Sequence, residues 1–147
     1  MKKIRFFTSI ELVVVLAIIS LLLGLTTVYY FNFKTATALK LSAYEVAATL
    51  NQARSLAITN QDKYSVVFDL SNNKYEIQDS VLARIDEEHR LGEGIVFDTV
   101  SFIGGNVETY SATGTAKGGT VKIKDNKAQV YTLIVNGATG RVKVENN

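Results

Sequence analysis

The chain has 147 residues, with 16 Lys+Arg against 14 Asp+Glu and no Cys, Pro or Trp. Lacking Cys, it has neither a disulfide scaffold nor a thiolate metal site, and its single His excludes a His-cluster metal site and leaves a Ser–His–Asp centre without support. The net charge of +2 is uneven: Lys2, Lys3 and Arg5 come first, and apart from these and Glu11 the chain carries 13 charges of each sign. A basic isoelectric point of this origin is no nucleic-acid signature in itself. No paired acids and no nucleophile–base constellation occur, so neither an enzyme nor a bound metal or cofactor is expected.

Residues 1–6 read as a short basic leader. The following run from Leu12 to Leu25, LVVVLAIISLLLGL, is uncharged, and Thr26–Phe33 extends it to Lys34. As a helix, Leu12–Phe33 would be about 33 Å long at about 1.5 Å per residue, enough to cross a hydrocarbon core. Tyr29 and Tyr30 fall where aromatic side chains favour the membrane interface. The spacing therefore predicts a transmembrane half-helix over 7–33. With its basic flank cytoplasmic, the rest of the chain is placed outside the inner membrane. A buried core helix and a secretory signal peptide are alternative readings. The first needs a larger domain to surround it, and the second lacks a small-x-small cleavage site after the apolar run.

Glu11 interrupts this pattern between Ile10 and Leu12. A carboxylate at mid-bilayer costs about 2.5–3.5 kcal/mol, and less near the interface. By itself it also fits a helix-start acid stabilised by the helix dipole.

The run Phe7-Thr8-Ser9-Ile10-Glu11-Leu12-Val13-Val14-Val15 resembles the start of type IV pilins and type II secretion pseudopilins, which have a basic leader, Gly, then Phe-Thr-x-x-Glu and an apolar helix. The resemblance implies that a prepilin peptidase cuts between Phe6 and Phe7 and methylates the new amine of Phe7. It also implies that Glu11 meets that amine on a neighbouring subunit during assembly. The implied partners are other pilins or pseudopilins, the peptidase, a membrane assembly platform and the lipid bilayer. This sequence departs from the pattern at one position, with Phe6 standing where the family has Gly.

From Lys34 to about residue 61 the chain reads as the amphipathic half of the same helix. Ala36, Leu39, Ala43, Val46, Ala47, Leu50 and Ala57 recur at helical spacing, with Lys34, Glu45 and Gln52 opposite and Arg54 interrupting the stripe. With no Pro between the halves, one helix from about residue 8 to 60 is expected; two helices hinged near Asn32 are the alternative. After Asn60 the period changes to two. Strands are expected around Val66–Phe68, Lys74–Gln78, Gly94–Ile103 (one long strand or a pair), Thr120–Lys124, Ala128–Val135 and Arg141–Glu145, with turns at Ser71-Asn72-Asn73, Asp125-Asn126 and Asn136-Gly137. Segment 79–93 is expected to be a solvated helical turn or loop with His89 at the surface. Gly114–Thr120 lacks the Lys of a phosphate loop. The expected fold is α+β: a long N-terminal helix packed on a C-terminal antiparallel β-sheet part, 62–147, as in pilins.

Gln52-Ala53-Arg54-Ser55-Leu56-Ala57 and Gly140-Arg141-Val142-Lys143-Val144 resemble, more weakly, the GspH/FimT minor pseudopilins. That resemblance implies a two-sheet globular part and a minor subunit that initiates or caps a filament. Some pilins of this family bind DNA through a C-terminal Gly-Arg-x-Arg motif. The matching positions here are Arg141 and Lys143, where Lys143 keeps the charge but lacks the guanidinium fork. In a strand these two would share the outer face, with Val142 and Val144 turned to the core, and Lys122, Lys124 and Lys127 would extend a phosphate-attracting patch. A solvated strand face is the alternative.

Overall fold

The structure of the protein is a computed structural model that describes residues 9–80 and 88–146, the side chains of 25–36 excepted. The chain divides into two compact units, Met1–Lys34 and Thr35–Asn147. Helix α1 runs from Ser9 to Asn60.

Within the second unit, Leu39, Ala43, Val46, Ala47, Leu50, Ala53 and Ala57 are buried, following the stripe read from the sequence. Ala36 belonged to that stripe, and its side chain lies outside the described residues. The buried polar Thr49 is satisfied within the helix, its hydroxyl donating to Glu45 O at 3.2 Å. The helix ends in a left-handed residue, Gln61 (φ 53°), and Asp62 N donates back to Ala57 O at 3.2 Å. This closes the last turn as in a Schellman motif, usually built on Gly. The side chain of Gln61 adds a bond to Ile58 O at 2.7 Å.

Eight strands follow: β1 (Tyr64–Asp69), β2 (Lys74–Gln78), β3 (His89–Arg90), β4 (Ile95–Phe102), β5 (Val107–Tyr110), β6 (Gly119–Asp125), β7 (Val130–Val135) and β8 (Val142–Asn146). They form two four-stranded sheets ordered β3-β2-β1-β5 and β4-β6-β7-β8, antiparallel throughout. The chain passes from the first sheet to β4, returns for β5, and then completes the second. Alternating burial in β1, β2, β5 and β6 turns Val66, Phe68, Tyr75, Ile77, Tyr110, Val121 and Ile123 into one core shared with α1. An aromatic seam joins the sheets: Phe68 of the first stacks on Phe102 of the second at 5.7 Å and meets Phe97 edge-on at 5.6 Å.

Of the two readings of Gly94–Ile103, the structure has the single long strand, Ile95–Phe102, whose register shifts between Phe97 and Thr99. The shift is a bulge that lets one long strand bend along its partner. The structure corrects other expectations. Strand β5 was not foreseen. Segment 79–93, expected as a helical turn or loop, contains β3, which pairs Lys74 with Arg90 and Tyr75 with His89; residues 81–87 of it lie outside the described residues. His89, expected at the surface, is half-buried and stacks on Tyr75 at 5.4 Å. Two polar residues make a strand here because a neighbouring ring and the Lys74–Glu88 ion pair at 2.8 Å hold them.

Candidate functional site

Glu11 lies in the first described turn of α1. Around it the helix is apolar on every side. Each side chain from Ser9 to Gly24 is exposed, Ile10 to 73%, Leu21 to 68% and Leu23 to 64%. The hydroxyl of Ser20 is satisfied within the helix by donating to Leu16 O at 2.8 Å. A helix with apolar residues all round requires an apolar neighbour. Among the described residues, no helix is long and apolar enough to cross a membrane. The expected span over 7–33 extends beyond that set, and the leader, Phe6 and Phe7 lie outside the described residues altogether.

The C-terminal motif is built around Gly140. Its φ is +64°, and a Cβ there would run into the carbonyl oxygen of Gly114 and lie 2.9 Å from Arg54 Nε. Arg54, which broke the helical stripe in the sequence, donates from Nε to Gly114 O at 3.1 Å. The glycine of the motif therefore serves a junction between helix, loop and turn. Arg141 is exposed and precedes β8 rather than lying in it, with its backbone oxygen accepting from Asn136 N at 2.9 Å. Lys143 is exposed on the outer face, and Val142 and Val144 pack against the core, as the alternation predicted.

The expected basic patch is only partly assembled. Lys143 pairs with Glu145 at 2.6 Å, and that hydrogen bond and charge hold its ammonium group above the usual lysine range. Lys124 pairs with Asp98 at 2.6 Å, a bond that holds the Asp98 carboxyl below the usual carboxylate range. Lys122 sits in register with Thr132 and Glu145 across β7, so β6 and β8 are about 10 Å apart at about 4.8 Å per strand. Lys127 lies in the β6–β7 turn, where Asp125 Oδ1 accepts from Lys127 N at 2.8 Å and Gln129 N at 2.9 Å. Among the described residues Arg141 has no ion-pair partner. The patch is fragmented because an acid stands within reach of two of its members.

Two features of this region were not read from the sequence. Glu108 is fully buried, its Oε1 accepting from Thr109 N, Lys117 N and Gly118 N at 3.0, 2.8 and 3.3 Å. Burial raises its carboxyl above the ordinary value, against the lowering effect of those bonds. It ties β5 of one sheet to the chain entering β6 of the other. The alternation in Val107–Tyr110 was the available signal, since it puts Glu108 in phase with Tyr110. The second is a basin beside β5, lined by Lys63, Thr109, Ser111, Thr115, Ala116 and Lys117. Among the described residues no group of His, Asp and Glu is placed to hold a metal ion.

No protein-family model and no curated protein matches the chain. Solved structures do. The minor pseudopilin EpsH from the type 2 secretion system of Vibrio cholerae superposes with a TM-score of 0.61 at 13% identity, over 74% of this chain and 96% of that one. The type IV minor pilin FimU of Pseudomonas aeruginosa does so with a TM-score of 0.61 at 21% identity, over 77% and 92%. The chain has the pilin-like fold of these minor pseudopilins and minor pilins, an N-terminal helix packed on a C-terminal antiparallel β part.

Proposed function

We propose that this protein is a minor pilin or pseudopilin of the GspH/FimT type, a non-enzymatic structural subunit that initiates or caps a type IV pilus or a type II secretion pseudopilus. One observation carries the reading: an all-round apolar, exposed helix segment with Glu11 in its first described turn, joined to a pilin-like fold. Before assembly the apolar half lies in the inner membrane, N-terminus cytoplasmic and globular part outside. The prepilin peptidase removes residues 1–6 and methylates Phe7. The Glu11 carboxylate then pairs with the Phe7 amine of an adjacent subunit. Two charges that are each costly in an apolar environment offset one another, and the pair sets the register between subunits.

The test is co-purification of the full-length protein with other pilins from detergent-solubilised membranes. Glu11→Ala is expected to abolish co-purification while membrane insertion is retained; unchanged assembly would remove the charge-pair role. Intact mass is expected to show loss of residues 1–6 and one added methyl. Phe6→Gly is expected to speed that processing, because a residue without a side chain lets the backbone approach the peptidase closely. Equal rates for the two forms would refute this.

A second reading, DNA capture during uptake, is favoured by the exposed and unpaired Arg141 beside Lys143. It predicts salt-dependent DNA binding that is lost in Arg141→Ala/Lys143→Ala. No gel shift at low salt would dismiss it.

A further inference from the structure

The basin beside β5 has a volume of about 350 Å³ and opens on the outer face of the first sheet. Its floor is hydroxylic. Ser111 Oγ lies 2.8 Å from Thr113 Oγ1 and 2.7 Å from Thr115 Oγ1, and Thr109 Oγ1 lies 3.1 Å from Ser65 Oγ. Hydroxyls bonded to one another can rotate, so the set retains both donors and acceptors for a ligand. Two cations flank the floor. Lys63 precedes β1, whose first residue pairs with Tyr110 at the far end of β5. Lys117 extends its ammonium group toward Gly104, before the near end of β5. The two lysines therefore enter the basin by opposite ends of a four-residue strand, about 13 Å long at about 3.3 Å per residue. Among the described residues neither lysine has an ion-pair partner. Asp62, the acid nearest Lys63 in the chain, accepts from Ser80 Oγ at 2.8 Å and Lys63 N at 2.7 Å.

The floor is also held in place. Glu108 lies behind it and binds Lys117 N and Gly118 N, while Ser111 N donates to Thr115 O at 2.9 Å. A site fixed before binding loses less entropy when a ligand arrives. Among the described residues, no aromatic or acidic residue lines the basin. That removes the stacking platform on which single-stranded nucleic acid binding relies.

We propose that this basin binds a segment of a linear acidic polysaccharide, with its sugar hydroxyls on Thr109, Ser111 and Thr115 and its carboxylates toward Lys63 and Lys117. The site rests on the geometry of β5 alone and is independent of filament assembly.

The test uses the full-length protein in a neutral detergent without sugar headgroups, at low ionic strength, with fluorescently labelled hexagalacturonate as probe. Saturable binding is expected. Lys63→Ala/Lys117→Ala is expected to weaken it about fivefold, the scale of two exposed charge contacts. Thr115→Val, which keeps the charges and the shape, is expected to weaken it measurably as well. Both variants should unfold at the wild-type midpoint, since all three residues are exposed. The absence of saturable binding, or wild-type affinity in the lysine variant, would overturn the proposal. So would wild-type affinity in Thr115→Val, or equal affinity for a six-residue oligothymidylate, either of which would reduce the basin to a track of charge.

Discussion

Glu108 and Gly140 hold the C-terminal half together through single atoms. The buried Glu108 carboxyl has one oxygen in three backbone bonds, and its Oε2 has no partner among the described residues. Desolvation therefore dominates, and the folded protein holds this proton more tightly than the ordinary value of 4.5 implies. Because the folded state binds the proton better, the contribution is complete below about pH 4.5 and is lost as pH rises through the raised value. Urea unfolding across that window is expected to show the wild type losing stability relative to Glu108→Gln, with no such slope in the variant. Gly140→Ala places a side chain at φ +64° against a backbone oxygen. It is expected to lower stability by about 2 kcal/mol, read as a fall in the urea midpoint. Neither role was legible beforehand. The sequence marks Gly140 only as part of a basic motif, while its constraint comes from Gly114 and Arg54, distant in the chain.

At the scale of elements, the stripe on α1 separates two kinds of leucine. Leu50 is fully buried, and Leu41 is more than half exposed. Leu50→Ala is expected to cost about 2–5 kcal/mol through lost burial and the cavity left behind. Leu41→Ala is expected to change stability by no more than about 0.5 kcal/mol. Comparable losses from both would contradict the packing. Period-3.6 and period-2 patterns disclosed the helix and most of the strands, because each of those elements buries one face. Strands β3 and β5 escaped. β3 contains two residues, too few for a period, and exists through its pairing with β2. β5 hides its alternation by burying an acid. Its outer edge is covered by Thr115–Lys117, which bridges Tyr110 to Ala116 and leaves that edge closed to further pairing.

For the whole molecule, the two units pose separate demands. Unit Thr35–Asn147 encloses its own core of helix and two sheets, whereas the described side chains of α1 before Leu25 are all exposed. Replacing Leu12, Val15 and Ile19 by lysine is therefore expected to leave the unfolding midpoint of the β part unchanged. The same change is expected to abolish sedimentation with membranes, and a shifted midpoint would show the units to be energetically coupled. Local pattern was enough to establish the long helix, the change to strands after Asn60 and the odd placement of Glu11 in an apolar run. Each depends on neighbours a few residues away and on the contrast between water and an apolar medium. The division of eight strands between two sheets, the burial of Glu108, the pairing of Lys124 with Asp98 and the hydroxyl floor between two lysines depend on groups that meet only in the tertiary fold, whereas Lys143 pairs with Glu145 two residues along its own strand. A one-dimensional pattern records which faces are apolar. It does not record which distant carboxylate or carbonyl will stand within three ångströms of a given charge, and at that range electrostatics decides what the surface can bind.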